Sequence, residues 1–302
     1  MDHRRAEQSD ETDVRPEDEA WNWQASQARA DSKQTARATA AISELSTLAL
    51  LCQCSQRGDC EPILKKMLGE MHVLMAALNA GNLGGVNPLV SALNSLIRDL
   101  YKAPNQVNPP PLRTITEALD FLRVSVWSRS YLDELERAPL KVLLVDDDPV
   151  CRSALAASLR VTALAPTVCG SAQEAFEVLR NDRFDVIFTD ILMPEMDGFE
   201  FFRQVRTLPN CLDTPVIFVT CLTDAATRSR SELAGARELM TKPWMHSEIR
   251  LNAFTFGLKH RVAAAKNQTV RQEALAPIGV ACPAEQGKVE ANHRIVPFRV
   301  DL

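Results

Sequence analysis

Four apolar runs in the 302-residue chain end on groups able to hold a cation or a phosphate. VLLV runs into Asp146, Asp147 and Asp148, VIFT into Asp190, VIFV into Thr220, and ELMT into Lys242 and Pro243. If these runs are strands of an open parallel sheet, their carboxyl ends share one rim, the usual ligand-binding edge. Carboxylates gathered there repel one another, and a divalent cation removes that cost. Hard oxygen donors with room for water suit magnesium, which commonly completes its shell with phosphate. Thr220 and Lys242, a hydroxyl and an ammonium, can hold the other phosphate oxygens. One carboxylate must then act as the nucleophile that becomes an acyl phosphate. Asp190 is the candidate, because it ends the middle strand and the Pro and Gly of FTDILMPEMDGF force a loop beside it. Asp148, directly before Pro149, reads as a helix N-cap and not a ligand.

The elements that must position these residues follow from periodicity. From Pro139 onward KVLLV, DVIFTD and PVIFVT are short, near-continuous apolar runs, with weaker strands near APTVC and RELMT. Helical patterns separate them: PVCRSALAASLR, SAQEAFEVLRND, FEFFRQVRTL and AATRSRSELAGA, with a last helix over about 246–261. Such alternation predicts βαβ units and a parallel sheet buried on both faces. Upstream, residues 21–137 are helical in pattern. SKQTARATAAISELSTLALLCQC carries Ile42, Leu45, Leu48 and Ala49 on one face. EPILKKMLGEMHVLMAALNA, NPLVSALNSLIRDLYKA and LRTITEALDFLRVSVWSRSYLDELE supply three more helices, broken by GNLGG and by the connector PNQVNPPP. Four amphipathic helices with short breaks predict an antiparallel four-helix bundle. Residues 1–20 read as a disordered acidic tail and 264–302 as a flexible tail.

The totals exclude little but agree. A net charge of −5 gives no reason to expect nucleic acid or an anionic membrane as partner. No stretch reaches the roughly 18 apolar residues of a membrane span, and the polar start is not a signal peptide, so a cytoplasmic protein is expected. Of eight cysteines, only Cys52, Cys54 and Cys60 cluster, without the paired spacing of a zinc site.

VLLVDDDP, FTDILMPEMDGFE, PVIFVT and LMTKPW, at their spacing over 139–263, resemble the receiver domain of two-component response regulators. The resemblance implies a flavodoxin-like, doubly wound α/β fold of five parallel strands in the order 2-1-3-4-5. It implies that Asp190 takes a phosphoryl group from a histidine kinase or phosphotransfer protein. Asp146 and Asp147 match the acidic pair that holds Mg2+ together with Asp190, and the backbone carbonyl of Leu192 the third protein ligand. Thr220 matches the switch hydroxyl and Lys242 the cation, with a cis bond to Pro243. Two positions depart from the pattern: Leu239 stands where an aromatic switch is usual, and Cys221 where a small residue is usual.

His72, in the second helix of a bundle upstream of a receiver, gives 40–130 a resemblance to histidine phosphotransfer domains. Met75 and Ala76 stand where that family favours lysine and glycine. No ATP-binding signature of a kinase is present, and the C-terminal stretch is too short and irregular for a DNA-binding output domain. The expectation is a response regulator of a two-component or phosphorelay system, not an enzyme beyond its own phosphorylation and dephosphorylation. It would signal to a downstream protein, without DNA or membrane contact, homodimerisation being left open. The alternatives are a phosphorelay transferase using His72 and Asp190, and a scaffold that binds partners without phosphorylation.

Overall fold

Strands rich in Val, Ile, Leu and Phe on both faces can be stable only when both faces are covered. The computed structural model describes residues 16–55, 60–81, 83–104, 107, 109–127, 138–222 and 224–275. Five strands, β1 (Leu140–Val145), β2 (Leu164–Cys169), β3 (Val186–Thr189), β4 (Val216–Thr220) and β5 (Glu238–Thr241), form one parallel sheet in the order β2-β1-β3-β4-β5. The four described N-terminal helices are α1 (Pro16–Cys54), α2 (Glu61–Ala80), α3 (Asn87–Lys102) and α4 (Pro109–Ser125). Interleaved with the strands are α5 (Pro149–Ser158), α6 (Ala172–Asn181), α7 (Gly198–Val205) and α8 (Ala225–Ala234), and α9 (His246–Leu275) closes the fold.

Alternate residues of each strand feed two different cores. Leu143, Val145, Ile187, Val216 and Phe218 pack with residues of α6 and α7, where Phe199 and Phe202 tilt against Phe218. Val142, Leu144, Val186, Phe188, Ile217 and Val219 face the other way, toward α5 and α9. That second core does not stop at α9. It runs on without a break into Leu89, Leu93 and Leu96 of α3, Ile115, Leu119 and Leu122 of α4, and the interiors of α1 and α2. The sheet and the helical bundle therefore share one apolar interior, with α9 as the wall between them.

The sequence of α9 explains this position. Every residue from Leu251 to Leu258 is buried, as expected of a helix enclosed on all sides and not of one with a wet face. Gly257 lets it lie close to β1, since a Cβ there would meet Leu140 Cδ1 at 3.1 Å. Polar side chains bridge the same boundary. Arg113 of α4 makes two hydrogen bonds to Glu238 of β5, Lys259 pairs with Glu117, and Ser247 Oγ donates to Asp99 Oδ2 at 2.7 Å.

Glu248, in the first turn of α9, is enclosed at that boundary. Burial, and then the nearby charge of Glu238, push its carboxyl up to about 7. The folded chain thus binds a proton that the unfolded chain has lost once pH exceeds about 4.5. Stability from this group is present at acid pH and falls as pH rises toward 7, by about 3 kcal/mol at roughly 1.4 kcal/mol per pKa unit. Urea unfolding from pH 5 to pH 8 is expected to show this decline in wild type. Glu248→Gln should flatten it and be the more stable form at pH 8.

Some boundaries differ from the sequence expectation. Residues 16–20, expected in a disordered tail, begin α1, where Pro16 followed by Glu17, Asp18 and Glu19 suits a helix start; residues 1–15 lie outside the described residues. Pro109, Pro110 and Pro111, expected in a connector, form the first turn of α4, whose amide hydrogens need no intrahelical acceptor. That helix ends at Ser125, earlier than expected, and 128–137 lie outside the described residues. Residues 264–275, expected in a flexible tail, continue α9; 276–302 lie outside the described residues.

Candidate active site

The rim at the carboxyl end of the sheet assembles from strand ends. Parallel pairing of β1 with β3 puts Val145 beside Thr189, so the residues that follow, Asp146 and Asp190, emerge side by side. Asp190 N donates to Val145 O at 3.0 Å and extends that register by one residue. The loop after Asp190 explains its glycine: a Cβ on Gly198 would fall 2.2 Å from Asp190 O and 2.8 Å from Ile191 Cα. Only glycine permits that approach, and Gly198 N donates to Ile191 O at 2.8 Å across it. Asp197 then caps α7 by accepting from Glu200 N. Asp148 caps α5, accepting from Val150 N at 2.9 Å.

Asp190 Oδ1 accepts from the backbone amides of Ile191 at 2.6 Å and Leu192 at 3.1 Å. Its other oxygen, Oδ2, accepts from Lys242 Nζ at 2.6 Å, and the same ammonium donates to Asp146 Oδ2 at 2.9 Å. Lys242 is delivered by β5 through a hydrogen bond from its amide to Thr220 O, and the Lys242–Pro243 bond is cis. Asp146 is fully buried, and Asp190 and Lys242 nearly so. Burial raises the Asp146 carboxyl above the usual carboxylate range, and the hydrogen bond and charge of Lys242 only partly oppose this. For Lys242, burial works against the charge, but the hydrogen bonds and charges of Asp190 and Asp146 outweigh it and hold the ammonium above its ordinary pKa.

Asp147 is exposed, and its carboxylate makes no hydrogen bond to a described residue. Even so, Asp146, Asp147 and Asp190 each present an oxygen, and these lie within 4.8 Å of one another. Oxygens bound to one hard divalent cation at roughly 2.0–2.6 Å are separated by no more than about twice that distance. An all-oxygen set of this spacing fits a hard divalent cation, and closing it by about half an ångström would bring it within the span of magnesium's shorter bonds. Leu192 follows on the same loop and its residue is half-exposed. Thr220 is buried at the end of β4, and its Oγ1 accepts from Leu222 N at 3.3 Å, so the hydroxyl is engaged with its own loop. Cys221 is exposed beside it, and Leu239, at the position where an aromatic switch was expected, is buried against the α7 side of the sheet.

His72 stands apart. It is exposed on α2, its Nδ1 lies 2.7 Å from Leu68 O, and no hydrogen bond joins it to the acidic rim. Of the residues spaced four apart through His72 (Leu64, Leu68, His72 and Ala76), which could have flanked the core together, Leu64 alone is fully buried; the α2 core line is Leu64, Met67, Met71, Leu74 and Leu78. Sequence reading passed over Arg152, whose Nη1 donates to the backbone oxygens of both Asp146 and Asp147. Its position on the first turn after the Asp148 cap was the available signal. It also passed over the Arg113–Glu238 pair, whose partners are 125 residues apart and carry no local signal.

A doubly wound parallel sheet with three acidic groups and a lysine at its carboxyl rim defines a receiver-type signalling domain. The chain belongs to the response regulator receiver domain family, whose model matches residues 142–253. Response regulator MprA of Mycolicibacterium vanbaalenii is 31% identical over 111 residues, which are 37% of this chain and 47% of that protein. The chain thus spans about half the length of that relative. An uncharacterised 14.6 kDa protein of Leptolyngbya boryana is 35% identical over 106 residues, covering 81% of its length. Among solved structures, the chemotaxis protein CheY4 of Vibrio cholerae aligns over 39% of this chain and 99% of its own, at 28% identity and a TM-score of 0.38. The receiver domain of the sensor histidine kinase PA1611 from Pseudomonas aeruginosa, described with magnesium in its active-site cleft, aligns over 40% and 98% at 26% identity and a TM-score of 0.37.

Proposed function

We propose that this chain is a response regulator that accepts a phosphoryl group on Asp190 from a phosphohistidine of a histidine kinase or phosphotransfer protein. The observation that supports this most is the meeting of Asp146, Asp147 and Asp190 within 4.8 Å, with Lys242 bonded to two of them. Magnesium held by these three carboxylates and the Leu192 carbonyl would supply charge neutralisation to the phosphoryl oxygens. Asp190 attacks phosphorus as the P–N bond to the donor imidazole breaks; with the donor's other ring nitrogen protonated, the bonding pair returns to the leaving nitrogen and the products are an aspartyl phosphate and a neutral histidine. Two backbone amides anchor Oδ1, whereas Oδ2 faces the lysine. Phosphorylation on Oδ2 would set the new oxygens beside the ammonium, which stabilises their charge. Thr220 exchanges its contact with Leu222 for a phosphate oxygen, and its loop moves with it. The bundle, joined to β5 and α9, carries that change to a downstream protein. On this reading the chain works in the cytoplasm and catalyses only its own phosphorylation and dephosphorylation. Among the described residues, no helix is long and apolar enough to cross a membrane.

A small-molecule phosphodonor with magnesium, followed by intact mass, tests the reading. Wild type is expected to gain one phosphoryl adduct and Asp190→Asn none; a folded wild type that gains none would leave only the phosphorylation-independent scaffold. The relay alternative has one observation in its favour. A carbonyl can only accept, so the Nδ1 of His72 is the donor in this contact, and Nε2 is the ring nitrogen left on an exposed face. Phosphoryl transfer from a donor kinase that is unchanged in His72→Gln would remove the relay.

A further inference from the structure

The Asp147 carboxylate is one corner of the acidic site, yet no described side chain or amide holds it. Its place is set by its backbone alone, and one side chain grips that backbone. Arg152 Nη1 donates to Asp146 O at 2.6 Å and to Asp147 O at 3.1 Å. The guanidinium rests against Gly170 at the end of β2, where a Cβ would meet its Cζ and Nη1 at 3.5 Å. It makes no ion pair with a described carboxylate, so these two carbonyls are its partners. Fixing consecutive carbonyls fixes the peptide planes on both sides of Asp147, and with them the direction of its Cα–Cβ bond. The neighbouring Asp148 amide donates to Asp146 Oδ1 at 3.0 Å, so the same short loop also orients the buried carboxylate.

We infer that Arg152 is a positioning residue of the cation site, aiming the Asp146 and Asp147 carboxylates through their backbone. The inference rests on the reading of the rim as a magnesium site. It carries a sign opposite to plain electrostatics. A guanidinium near the site repels a divalent cation, so if charge were its only effect, removing it would tighten magnesium binding. A positioning role requires the reverse, because groups that orient metal ligands typically contribute roughly 10–100-fold in affinity.

The experiment compares wild type, Arg152→Met and Arg152→Lys by calorimetric titration with magnesium chloride at constant ionic strength. Hydrogen exchange of the Asp148 amide is measured alongside in metal-free protein. Arg152→Met is expected to bind magnesium at least about tenfold more weakly and to exchange the Asp148 amide faster. Arg152→Lys should recover most of both, since a single nitrogen donates both bonds and an ammonium can do the same. Weaker phosphorylation of Arg152→Met should be restored by raising magnesium. Equal or tighter binding by Arg152→Met, with unchanged exchange, overturns the inference while leaving the magnesium site intact. If wild type binds no magnesium, the functional reading fails. Exchange at Asp148 then decides by itself whether Arg152 orders the loop: faster exchange in Arg152→Met supports it and unchanged exchange overturns it.

Discussion

Lys242→Met should lower the stability of metal-free protein by about 3–5 kcal/mol, the usual cost of stripping the partner from a buried charge. Lys242 is the only described cation bonded to Asp146 and Asp190, which are all but sealed from water. Without it two carboxylates face each other in a region of low polarity, and one must take a proton or the rim must open. Burial already raises the Asp146 carboxyl with the lysine present. Urea unfolding in EDTA should show the full loss, and the loss should shrink in excess magnesium, where a divalent cation takes over the neutralising role. A variant as stable as wild type in EDTA would mean that the two carboxylates are not held together by this ammonium.

The second large effect concerns the bundle. A fragment beginning at residue 138 should lose its monomeric, cooperative fold. Removing α1–α4 uncovers part of α9, whose Leu251, Phe254 and Leu258 fall along one stripe and belong to the same core as α3 and α4. Exposing even three or four side chains of that size costs roughly 5–10 kcal/mol, as much as an ordinary domain's whole stability. It also strips Glu238, which is 6% exposed, of its Arg113 partner. Size-exclusion chromatography and calorimetry should find the fragment self-associated or without a sharp transition, and the full chain unfolding in one step. A monomeric fragment that melts as sharply and as high as the full chain would show that the shared interior is dispensable.

These two effects mark what the sequence could and could not say. β1 and β3 are legible because each is a short apolar run ending on a carboxylate, Asp146 or Asp190, whereas β2 and β5 read only weakly because their apolar pattern is broken, by Pro166 and Thr167 in one and by Glu238 in the other. Gly198 is legible as a loop signal, although the reason for it, a backbone passing too close for any Cβ, requires coordinates. The wall between bundle and sheet is different. LNAFTFGL carries no charged residue, a pattern that fits a helix covered on all sides, but nothing in it tells which element supplies the cover. Arg113 and Glu238 are ordinary surface residue types until folding brings them together. His72 lies between buried Met71 and Leu74 in sequence, and only the rotation of α2 decides that it faces water.

The 30 residues of α9 have a mechanical meaning beyond packing. At about 1.5 Å per residue the helix is some 45 Å long, and its stretch from Leu251 to Leu258 is clamped between sheet and bundle. A rotation of about 5° at the clamped end would swing the far end by about 4 Å, by the geometry of a rigid rod of that length. Rooted four residues after Lys242, a rod of this length turns a small tilt at the acidic rim into a displacement of several ångström at its other end.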